Sequence, residues 1–342
     1  MLASKMQSAG SVNLDALAVG HANAPYVSVY EWTGNGLGSK FANPASAMTS
    51  AGTTVSFNPD GSALAVGGTG FSVYRWGYTG FGTKHTVPFN ATSSKDAVFS
   101  RDGLTLVCDA RAYGWSPSGF GTDYGLVVFG FAGDVINANV MNATSTVYAY
   151  SETSRGVTTY GFRAWTSGAG WGSNYSLPSG GNTFPQAPRR IGFSQDNSAV
   201  AMAGIASLAP FAYPWSDSTG FGTKYANPAT SLTGVATFCT FSPDNDAVAF
   251  SHATSPFLTV YAWSGSGFGT KYSNPATLPP STGSATSVAF NGDGTAVAVT
   301  GDASPYVAVY PWSSSGFGTK YADPATLPTG SANAAVFISS KT

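Results

Sequence analysis

Three histidines are the side chains of this sequence best suited to acid–base or metal chemistry, and two of them begin similar segments. His21 begins His-Ala-Asn-Ala-Pro, and His252 begins His-Ala-Thr-Ser-Pro. A third such segment, residues 301–305, reads Gly-Asp-Ala-Ser-Pro and carries Asp302. Imidazoles and a carboxylate on one rim could bind a metal ion or a polar ligand. We therefore predict His21, His252 and Asp302 as ligand-binding residues, with ordinary solvated turn residues as the alternative.

Recognised catalytic motifs are missing from the sequence. It contains no H-E-x-x-H, no G-x-S-x-G and no phosphate-binding loop, and the third histidine, His85, lies in no motif either. Cys108 and Cys239 lie in separate apolar runs, outside any C-x-x-C pattern, and are predicted as small core residues. The sequence thus predicts no catalytic residue, no metal, no cofactor and no enzymatic activity.

Charge is scarce along the chain. Charged residues make up 9% of the 342 residues, and the formal net charge is -1. This excludes the basic surface that nucleic-acid binding requires. A low net charge promotes association, which predicts a place in a larger assembly, with a plain monomer as the alternative. No apolar run reaches the ~18 residues of a membrane span, and residues 1–10 lack the apolar core of a secretory signal. We expect a chain made soluble in the cytoplasm, without membrane insertion.

Seven repeats organise the sequence. In each, a tryptophan is followed four or five residues later by Gly-aromatic-Gly or a near variant. The tryptophans are Trp32, Trp76, Trp115, Trp165, Trp215, Trp263 and Trp312, spaced by 39 to 50 residues. That period is typical of a four-stranded propeller blade or of some helical repeats. The alternation of apolar and polar residues within the repeat excludes the helical reading.

The repeat at residues 287–324 gives the strand pattern of one blade. Short apolar runs at 287–290, 296–299 and 306–312 predict three strands, and residues 317–322 predict a fourth. Asn-Gly-Asp-Gly between the first two runs is typical of a tight hairpin turn. Four antiparallel strands would make one blade.

The two ends of the chain complement each other. Residues 16–32 match the repeat from its second strand onward, and residues 334–337 match its first strand. This predicts an all-β, seven-bladed β-propeller of four-stranded antiparallel blades, whose C-terminal strand completes the N-terminal blade. Residues 1–342 would form one domain, with residues 11–45 and 331–342 sharing the closing blade. An open solenoid with capping repeats is the alternative.

Three repeated positions admit a structural and a binding interpretation. The tryptophans are predicted to pack between blades, with sugar stacking as the alternative. The turn aspartates of the repeats are predicted to cap local amides rather than to bind calcium. Five lysines hold one position of the predicted outermost strand, either to protect a sheet edge or to meet an anionic partner. They are Lys40, Lys84, Lys224, Lys271 and Lys320. The repeat at 134–178 departs most from the pattern, which predicts a bulge or an altered loop there.

The order of strand, Asp-Gly turn, apolar strand and aromatic-x-Trp strand resembles the WD-repeat propellers, over essentially the whole chain. The Gly-His and Trp-Asp pairs of that family are absent, so its buried hydrogen-bond network is not expected. The signature Gly-Phe-Gly-Thr-Lys-Tyr-x-Asn-Pro-Ala, at residues 220–229 and 267–276, is similar to propellers encoded by tailed bacteriophages. Sialidase-type propellers would need an arginine triad, but Arg189 and Arg190 are adjacent and would point to opposite faces of a strand.

The resemblance implies a non-enzymatic structural or interaction protein of a bacteriophage virion, associated with the tail or capsid. Other virion or assembly proteins would be its partners, and it would reach the exterior by lysis. A carbohydrate-binding propeller that recognises a cell-surface glycan is the second hypothesis. A glycan-acting hydrolase that uses His21, His252 or Asp302 is the third.

Overall fold

The structure is a computed structural model, and it describes residues 15–88, 96–108, 111–126, 135–154, 157–178, 184, 188–204 and 208–338. Every regular element in these residues is a β-strand. No helix among them is long and apolar enough to cross a membrane. The strands form seven sheets of four antiparallel strands each, as predicted.

The first four blades contain the following strands. Blade 1 has β1 (Ala16–His21), β2 (Val27–Trp32) and β3 (Leu37–Lys40), completed by β28 (Ala332–Ile338); blade 2 has β4 (Thr54–Phe57), β5 (Ala63–Gly67), β6 (Ser72–Gly77) and β7 (Gly80–Lys84); blade 3 has β8 (Ala97–Phe99), β9 (Thr105–Cys108), β10 (Arg111–Ser116) and β11 (Gly119–Leu126); blade 4 has β12 (Val135–Met141), β13 (Val147–Ser154), β14 (Val157–Thr166) and β15 (Gly170–Asn174).

The other three blades follow the same order. Blade 5 has β16 (Pro188–Phe193), β17 (Ala199–Gly204), β18 (Phe211–Ser216) and β19 (Gly220–Phe221); blade 6 has β20 (Ala236–Phe241), β21 (Ala247–His252), β22 (Leu258–Ser264) and β23 (Gly267–Lys271); blade 7 has β24 (Ala285–Phe290), β25 (Ala296–Gly301), β26 (Val307–Ser313) and β27 (Gly316–Phe317).

The C-terminal strand closes the ring, which confirms the prediction. β28 pairs antiparallel with β1, with Ala18 opposite Val336 and Leu17 opposite Phe337. The first strands of successive blades contact each other from β4 through β24, and β28 contacts both β24 and β4. The first strands are therefore innermost and surround the axis, and the fourth strands are outermost. The closed ring excludes the open solenoid.

The ring has two faces, because neighbouring strands run in opposite directions. The loop face carries the connections between blades and the loops between second and third strands, such as residues 253–257. The turn face carries the tight turns after the first and third strands, such as residues 242–246 and 265–266. Every innermost strand therefore begins at the loop face and ends at the turn face.

Each repeated tryptophan lies in a cage of neighbouring side chains. The Trp263 ring contacts Phe241 and Phe268 of its own blade, with ring centroids 5.0 and 5.2 Å apart. It also contacts Tyr225 of the preceding blade at 5.3 Å, edge to face. Aromatic pairs in this geometry stabilise beyond the area they bury. The seven tryptophans are only 2% to 7% exposed, so they are packing residues with no face open for a sugar.

The contact with the preceding blade recurs at every junction of the ring. Its seven pairs are Tyr321–Trp32, Phe41–Trp76, His85–Trp115, Tyr124–Trp165, Tyr175–Trp215, Tyr225–Trp263 and Tyr272–Trp312. The centroid distances lie between 4.9 and 5.6 Å. The first partner in each pair follows the repeated lysine position, so the signature encodes a contact between blades.

Four of the five repeated lysines are held by a side chain three residues later in the sequence. Lys224 and Lys271 donate from Nζ to the side-chain oxygen of the asparagine three residues later, each at 2.6 Å. Lys40 makes the same bond to Asn43, and Lys320 pairs with Asp323. This supports the structural interpretation of the lysines. The predicted fourth strand at 317–322 is shorter in the structure, Gly316–Phe317, because Pro311 of the facing third strand has no amide proton for the ladder; the Tyr321 amide still donates to the Val309 carbonyl at 2.9 Å.

The glycine that begins each Gly-aromatic-Gly unit lies directly against the aromatic ring of the preceding blade. Gly267 has φ of 97°, and a Cβ placed there would lie 2.9 Å from atoms of Tyr225. Both the backbone conformation and the close approach therefore require glycine. In the same turn, Gly265 has ordinary backbone angles and open space around it.

Replacing Gly267 by alanine is expected to lower the free energy of unfolding by roughly 2 to 4 kcal/mol, because it adds backbone strain and a clash at a blade junction. Gly265→Ala is the matched control and is expected to change it by less than about 0.5 kcal/mol. Urea unfolding monitored by tryptophan fluorescence measures both. Equal effects of the two substitutions would contradict the packing role assigned to Gly267.

Candidate functional site

His21 and His252 are buried at the loop-face ends of two second strands. Both side chains are fully excluded from solvent. Nε2 of His21 lies 2.9 Å from Oγ of Ser28, and Nε2 of His252 lies 3.0 Å from Oγ1 of Thr259. Each imidazole therefore bonds to a hydroxyl on the third strand of its own blade.

Burial keeps both imidazoles neutral at physiological pH. It lowers the pKa of His21 to about 4, against the opposing effect of the hydrogen bond to the Asn23 carbonyl, and it lowers the pKa of His252 to about 4 as well. Because a carbonyl oxygen can only accept, Nδ1 of His21 carries the proton at its 2.9 Å contact with Asn23. Nε2 then accepts from the Ser28 hydroxyl. Both ring nitrogens of His21 are thus engaged within the protein.

Blade 7 has neither the imidazole nor the hydroxyl. At the position equivalent to His21 and His252 it has Gly301, and seven residues later, where the other blades have Ser28 or Thr259, it has Ala308. In blades 1, 6 and 7 the imidazole and the hydroxyl are thus present together or absent together. This pairing is what a structural role for the histidines requires, because a buried imidazole without its partner would be costly.

The carboxylate of Asp302 binds the chain segment that leads into the first strand of its own blade. Its two oxygens accept from the backbone amides of Thr282 and Gly283, at 2.7 and 3.0 Å. Blade 7 has two more residues in this segment than blades 1 and 6, and Asp302 holds the longer segment in place. Like the turn aspartates of the repeats, Asp302 thus caps backbone amides.

The structure brings the segments of His21 and Asp302 to one connection. In that connection Thr329 donates to the Ala24 carbonyl at 2.8 Å, and Ser331 donates to the Asp302 carbonyl at 3.3 Å. The His252 segment lies against a different connection, where Thr233 donates to the Ser255 carbonyl at 2.8 Å. No described group of three or more His, Cys, Asp or Glu side chains could hold a metal ion. Ligand binding by the three predicted residues stays a prediction.

Side chains at the start of the innermost strands join neighbouring blades around the channel mouth on the loop face. A bulge in blades 6, 7 and 1 directs Thr237, Thr286 and Asn333 toward the next blade. They donate to the carbonyls of Ala285, Ala332 and Gly52, at 2.5, 2.5 and 2.9 Å. Bulges of this kind occur often at rims and next to active sites. Sequence patterns gave no sign of this set of bonds.

Among the described side chains, two charged residues lie near this loop-face mouth, just before β8 and in β16. Asp96 directly precedes β8 and is 4% exposed. Arg190 lies in β16 and donates from Nε to the Thr237 carbonyl of the next blade. Sequence reasoning missed Asp96, and it set Arg190 aside when it rejected an arginine triad. The available signal was position, because β4, β20, β24 and β28 begin with small or hydroxyl residues.

Phe238 is the exposed aromatic residue of the mouth. It directly follows Thr237 in β20, and 41% of it is exposed. Neighbouring blades cover both faces of a blade, so solvent reaches an innermost strand from the axis. Arg190 bonds to the carbonyl of Thr237, which brings its guanidinium next to the Phe238 position. An aromatic ring and a cationic hydrogen-bond donor therefore lie side by side at the mouth.

Blade 4, between the blades of Asp96 and Arg190, has the longer strands on the loop-face side. Its second and third strands, β13 and β14, have eight and ten residues, whereas β21 and β22 of blade 6 have six and seven. The register continues to Ser154 opposite Val157, so the extra length projects from the loop face as a hairpin. The sequence predicted an irregularity in this repeat, and the structure identifies it as this extension.

On the turn face a side-chain hydrogen bond joins two blades that are not neighbours. Arg101 of blade 3 donates to the side-chain oxygen of Gln195 of blade 5 at 2.5 Å. The bond passes over blade 4, whose equivalent turn position is the small Ala143.

Asp217 ties blade 4 to blade 5 on the turn face. Its carboxylate accepts hydrogen bonds from side chains of both blades, namely Asn142, Thr144, Thr146, Asn197 and Trp215. Burial by itself raises the pKa of Asp217, but these bonds outweigh burial and lower it. The most irregular blade is thus anchored at the face opposite its projecting hairpin.

Comparison with solved structures finds the same fold in proteins of distant sequence. A proposed 6-phosphogluconolactonase from Bacteroides fragilis has a TM-score of 0.69 at 11% identity, covering 97% of this chain and 99% of its own. The periplasmic gluconolactonase of Pseudomonas aeruginosa gives 0.69 at 13% identity, over 95% and 99%. A proposed 6-phosphogluconolactonase from Bacteroides uniformis gives 0.69 at 11%, over 96% and 100%. No protein-family model matches the chain, and no curated protein sequence matches it.

These neighbours correct the functional prediction. They are named as lactonases, which are hydrolases, so the prediction of a non-enzymatic structural protein of a virion is wrong. The similarity to WD-repeat and phage propellers finds no support either. The reason is physical: the Gly-Phe-Gly-Thr-Lys-Tyr signature is built from residues that pack one blade on the next. It therefore reports the fold and carries no information on function.

Acidification is expected to destabilise the protein through its buried histidines. The unfolded chain binds their protons near pH 6.5, whereas the folded pKa of His21 and of His252 is about 4. Their contribution is complete above pH 6.5 and is lost as the pH falls toward 4, by about 3 kcal/mol for each histidine. The variant His252→Gly/Thr259→Ala, which copies the Gly301 and Ala308 pair, should take up about one proton fewer on unfolding in this pH range. Urea unfolding between pH 4 and 7 measures this, and an unchanged pH slope would contradict a buried neutral His252.

Proposed function

We propose that the chain hydrolyses lactones at the loop-face mouth of its channel. The observation that carries the proposal is the position of Asp96, Arg190 and Phe238 near the start of the innermost strands of blades 3, 5 and 6, on either side of blade 4 and its long hairpin. The names of the solved neighbours, a gluconolactonase and two proposed 6-phosphogluconolactonases, support the reaction class.

The place of this group in the ring supports a role beyond folding. All seven blades repeat the residues that the fold requires: the caged tryptophan, the glycine that approaches the preceding ring and the aromatic ring after the lysine position. The long hairpin of blade 4 and the charged residues of the flanking blades do not recur. Function in a repeat protein is expected where the repeats differ, because identical residues in all blades serve the packing they share.

The proposed chemistry is the addition of water to the lactone carbonyl. Asp96 takes a proton from the attacking water, and the positive charge of the Arg190 guanidinium stabilises the negative charge that develops on the carbonyl oxygen. The bond between the carbonyl carbon and the ring oxygen then breaks, and the ring oxygen receives the proton. Phe238 offers a flat apolar surface to the ring of the substrate. The hydrogen bond to the Thr237 carbonyl holds Arg190 in place.

Purified full-length chain is expected to accelerate the hydrolysis of glucono-δ-lactone above its spontaneous rate, measured by titrating the acid released at constant pH. Arg190→Gln removes the positive charge that stabilises the developing oxyanion and should lower kcat/KM by about 10² to 10³. Asp96→Asn removes the base and should lower kcat by about 10² or more.

Lys224→Gln is the control, because Lys224 is held by Asn227 just beyond the outermost strand of blade 5 and should leave the rate unchanged. Thermal unfolding of every variant separates a lost reaction from a lost fold. Hydrolysis no faster than the spontaneous reaction, or full activity of both folded mouth variants, would overturn the proposal.

A further inference from the structure

Thr237 connects three blades of the ring at the loop-face mouth. Its carbonyl accepts a hydrogen bond from Nε of Arg190 in blade 5. Its hydroxyl lies 2.8 Å from Oγ of Ser251 in its own blade, and it donates to the Ala285 carbonyl of blade 7 at 2.5 Å. The residue that accepts from Arg190 is therefore itself held on two sides.

The two hydroxyl bonds form a chain with one direction. Because the Ala285 carbonyl can only accept, the proton of the Thr237 hydroxyl points to it. Ser251 is fully buried and must then donate its own proton to Oγ1 of Thr237. Each bond of such a buried chain polarises the next, and removing one member leaves its partner without a bond. The chain thus fixes the orientation of the Thr237 side chain.

Thr237 is the extra residue of a β-bulge. The register of β20 with β21 shifts between Ala236 and Phe238, so Thr237 has no residue directly opposite it. The regular ladder is disrupted at such a residue and does not by itself fix the direction of its carbonyl. The bonds of the Thr237 hydroxyl fix the residue instead, and its carbonyl then faces Arg190.

Blade 7 contains the same chain of hydroxyl bonds. Thr286 is the extra residue of the corresponding bulge in β24. Its Oγ1 lies 2.7 Å from Oγ1 of Thr300 and donates to the Ala332 carbonyl of blade 1 at 2.5 Å. The chain is therefore a feature that two blades share, and by itself it serves the contact between blades.

The two chains differ in what the preceding blade places beside them. Arg190 and Phe238 hold equivalent positions, each directly after the register shift of its strand. Arg190 precedes the chain of Thr237 by one blade, and Phe238, which has no hydrogen-bond donor in its side chain, precedes the chain of Thr286. Thr286 is thus a matched control for Thr237, with the same bonds and no arginine to hold.

We propose that Thr237 is a positioning residue whose hydroxyl chain holds Arg190 at the mouth. Its importance for catalysis rests on the proposed lactone hydrolysis, in which the charge of Arg190 stabilises the developing oxyanion. The holding of Arg190 itself does not depend on that reaction. A displacement of a catalytic group by about 1 Å can lower a rate by about 10². Loss of the Thr237 hydroxyl is therefore expected to affect kcat through Arg190.

The first test measures the Nε–H of Arg190 by nuclear magnetic resonance on the ¹⁵N-labelled full chain. The signal is identified by its loss in Arg190→Lys. Thr237→Val keeps the shape of the side chain without its hydroxyl and should speed exchange of this proton with water by about tenfold, because the bond to the carbonyl opens more often. Thr286→Val and Thr237→Ser, which keeps the hydroxyl, should leave the exchange rate as it is.

The second test measures hydrolysis of glucono-δ-lactone by the same variants. Thr237→Val should lower kcat by about tenfold or more and change KM by less than about twofold, because the lost interaction belongs to the transition state. Thr237→Ser should restore kcat, and Thr286→Val should keep it. Thermal unfolding should show similar losses of stability in the two valine variants. Ser251→Ala removes the first donor of the chain and should act in the same direction, which keeps the test open if Thr237→Val does not fold.

The outcomes separate this inference from the proposed function. If the unmodified chain hydrolyses the lactone no faster than the spontaneous reaction, lactone hydrolysis fails, and the exchange rate of the Arg190 proton alone decides whether Thr237 holds Arg190. An unchanged exchange rate in folded Thr237→Val, or equal acceleration in Thr286→Val, would overturn the inference. If the lactone is hydrolysed and kcat falls equally in both valine variants, Thr237 has only the structural role that it shares with Thr286, and the inference is wrong.

Discussion

The contact of each tryptophan with an aromatic ring of the preceding blade is the interaction on which the rest of the structure depends. A single blade is a four-stranded sheet with two apolar faces, and it can bury them only against neighbours. Trp263, for example, is covered by Tyr225 from one side and by two phenylalanines of its own blade. Because every junction uses the same contact, the seven junctions support one another only when the ring is closed. The pairing of β28 with β1 supplies that closure.

Much of the fold could be predicted from the sequence, because the residues that pack the blades recur in order. The tryptophans, the glycines before the aromatic residue and the complementary termini gave the number of blades and the closure. The length of the fourth strands could not be obtained in this way. Residues 317–322 have the alternation of a strand, yet Pro311 on the facing third strand lacks the amide proton that the ladder needs, and the strand ends at Phe317. The reason for the short strand thus lies in its partner strand and not in its own pattern.

The candidate site was harder to predict from the sequence, because its residues do not recur from blade to blade. The repeat comparison found His21 and His252 because they share an aligned position, and shared positions in this protein serve packing. Their partners Ser28 and Thr259, replaced together with them by Gly301 and Ala308, would have indicated the structural role. Asp96 and Arg190 occur once each and belong to no motif. Only the closed ring reveals that both lie at the start of innermost strands, on either side of the long hairpin of blade 4.

The closed ring is the cooperative unit of folding, and the shape of the mouth depends on that closure. The most direct measurement is urea unfolding of a chain truncated after Ser331, which lacks β28, followed by near-ultraviolet circular dichroism of its tryptophans. We expect loss of the ordered tryptophan signal from the whole protein. Blades 1, 2 and 7 would lose their contacts with β28, and the other blades would no longer belong to a closed ring. A truncated chain that keeps the signal of the other six blades and the unfolding midpoint of the full chain would contradict it.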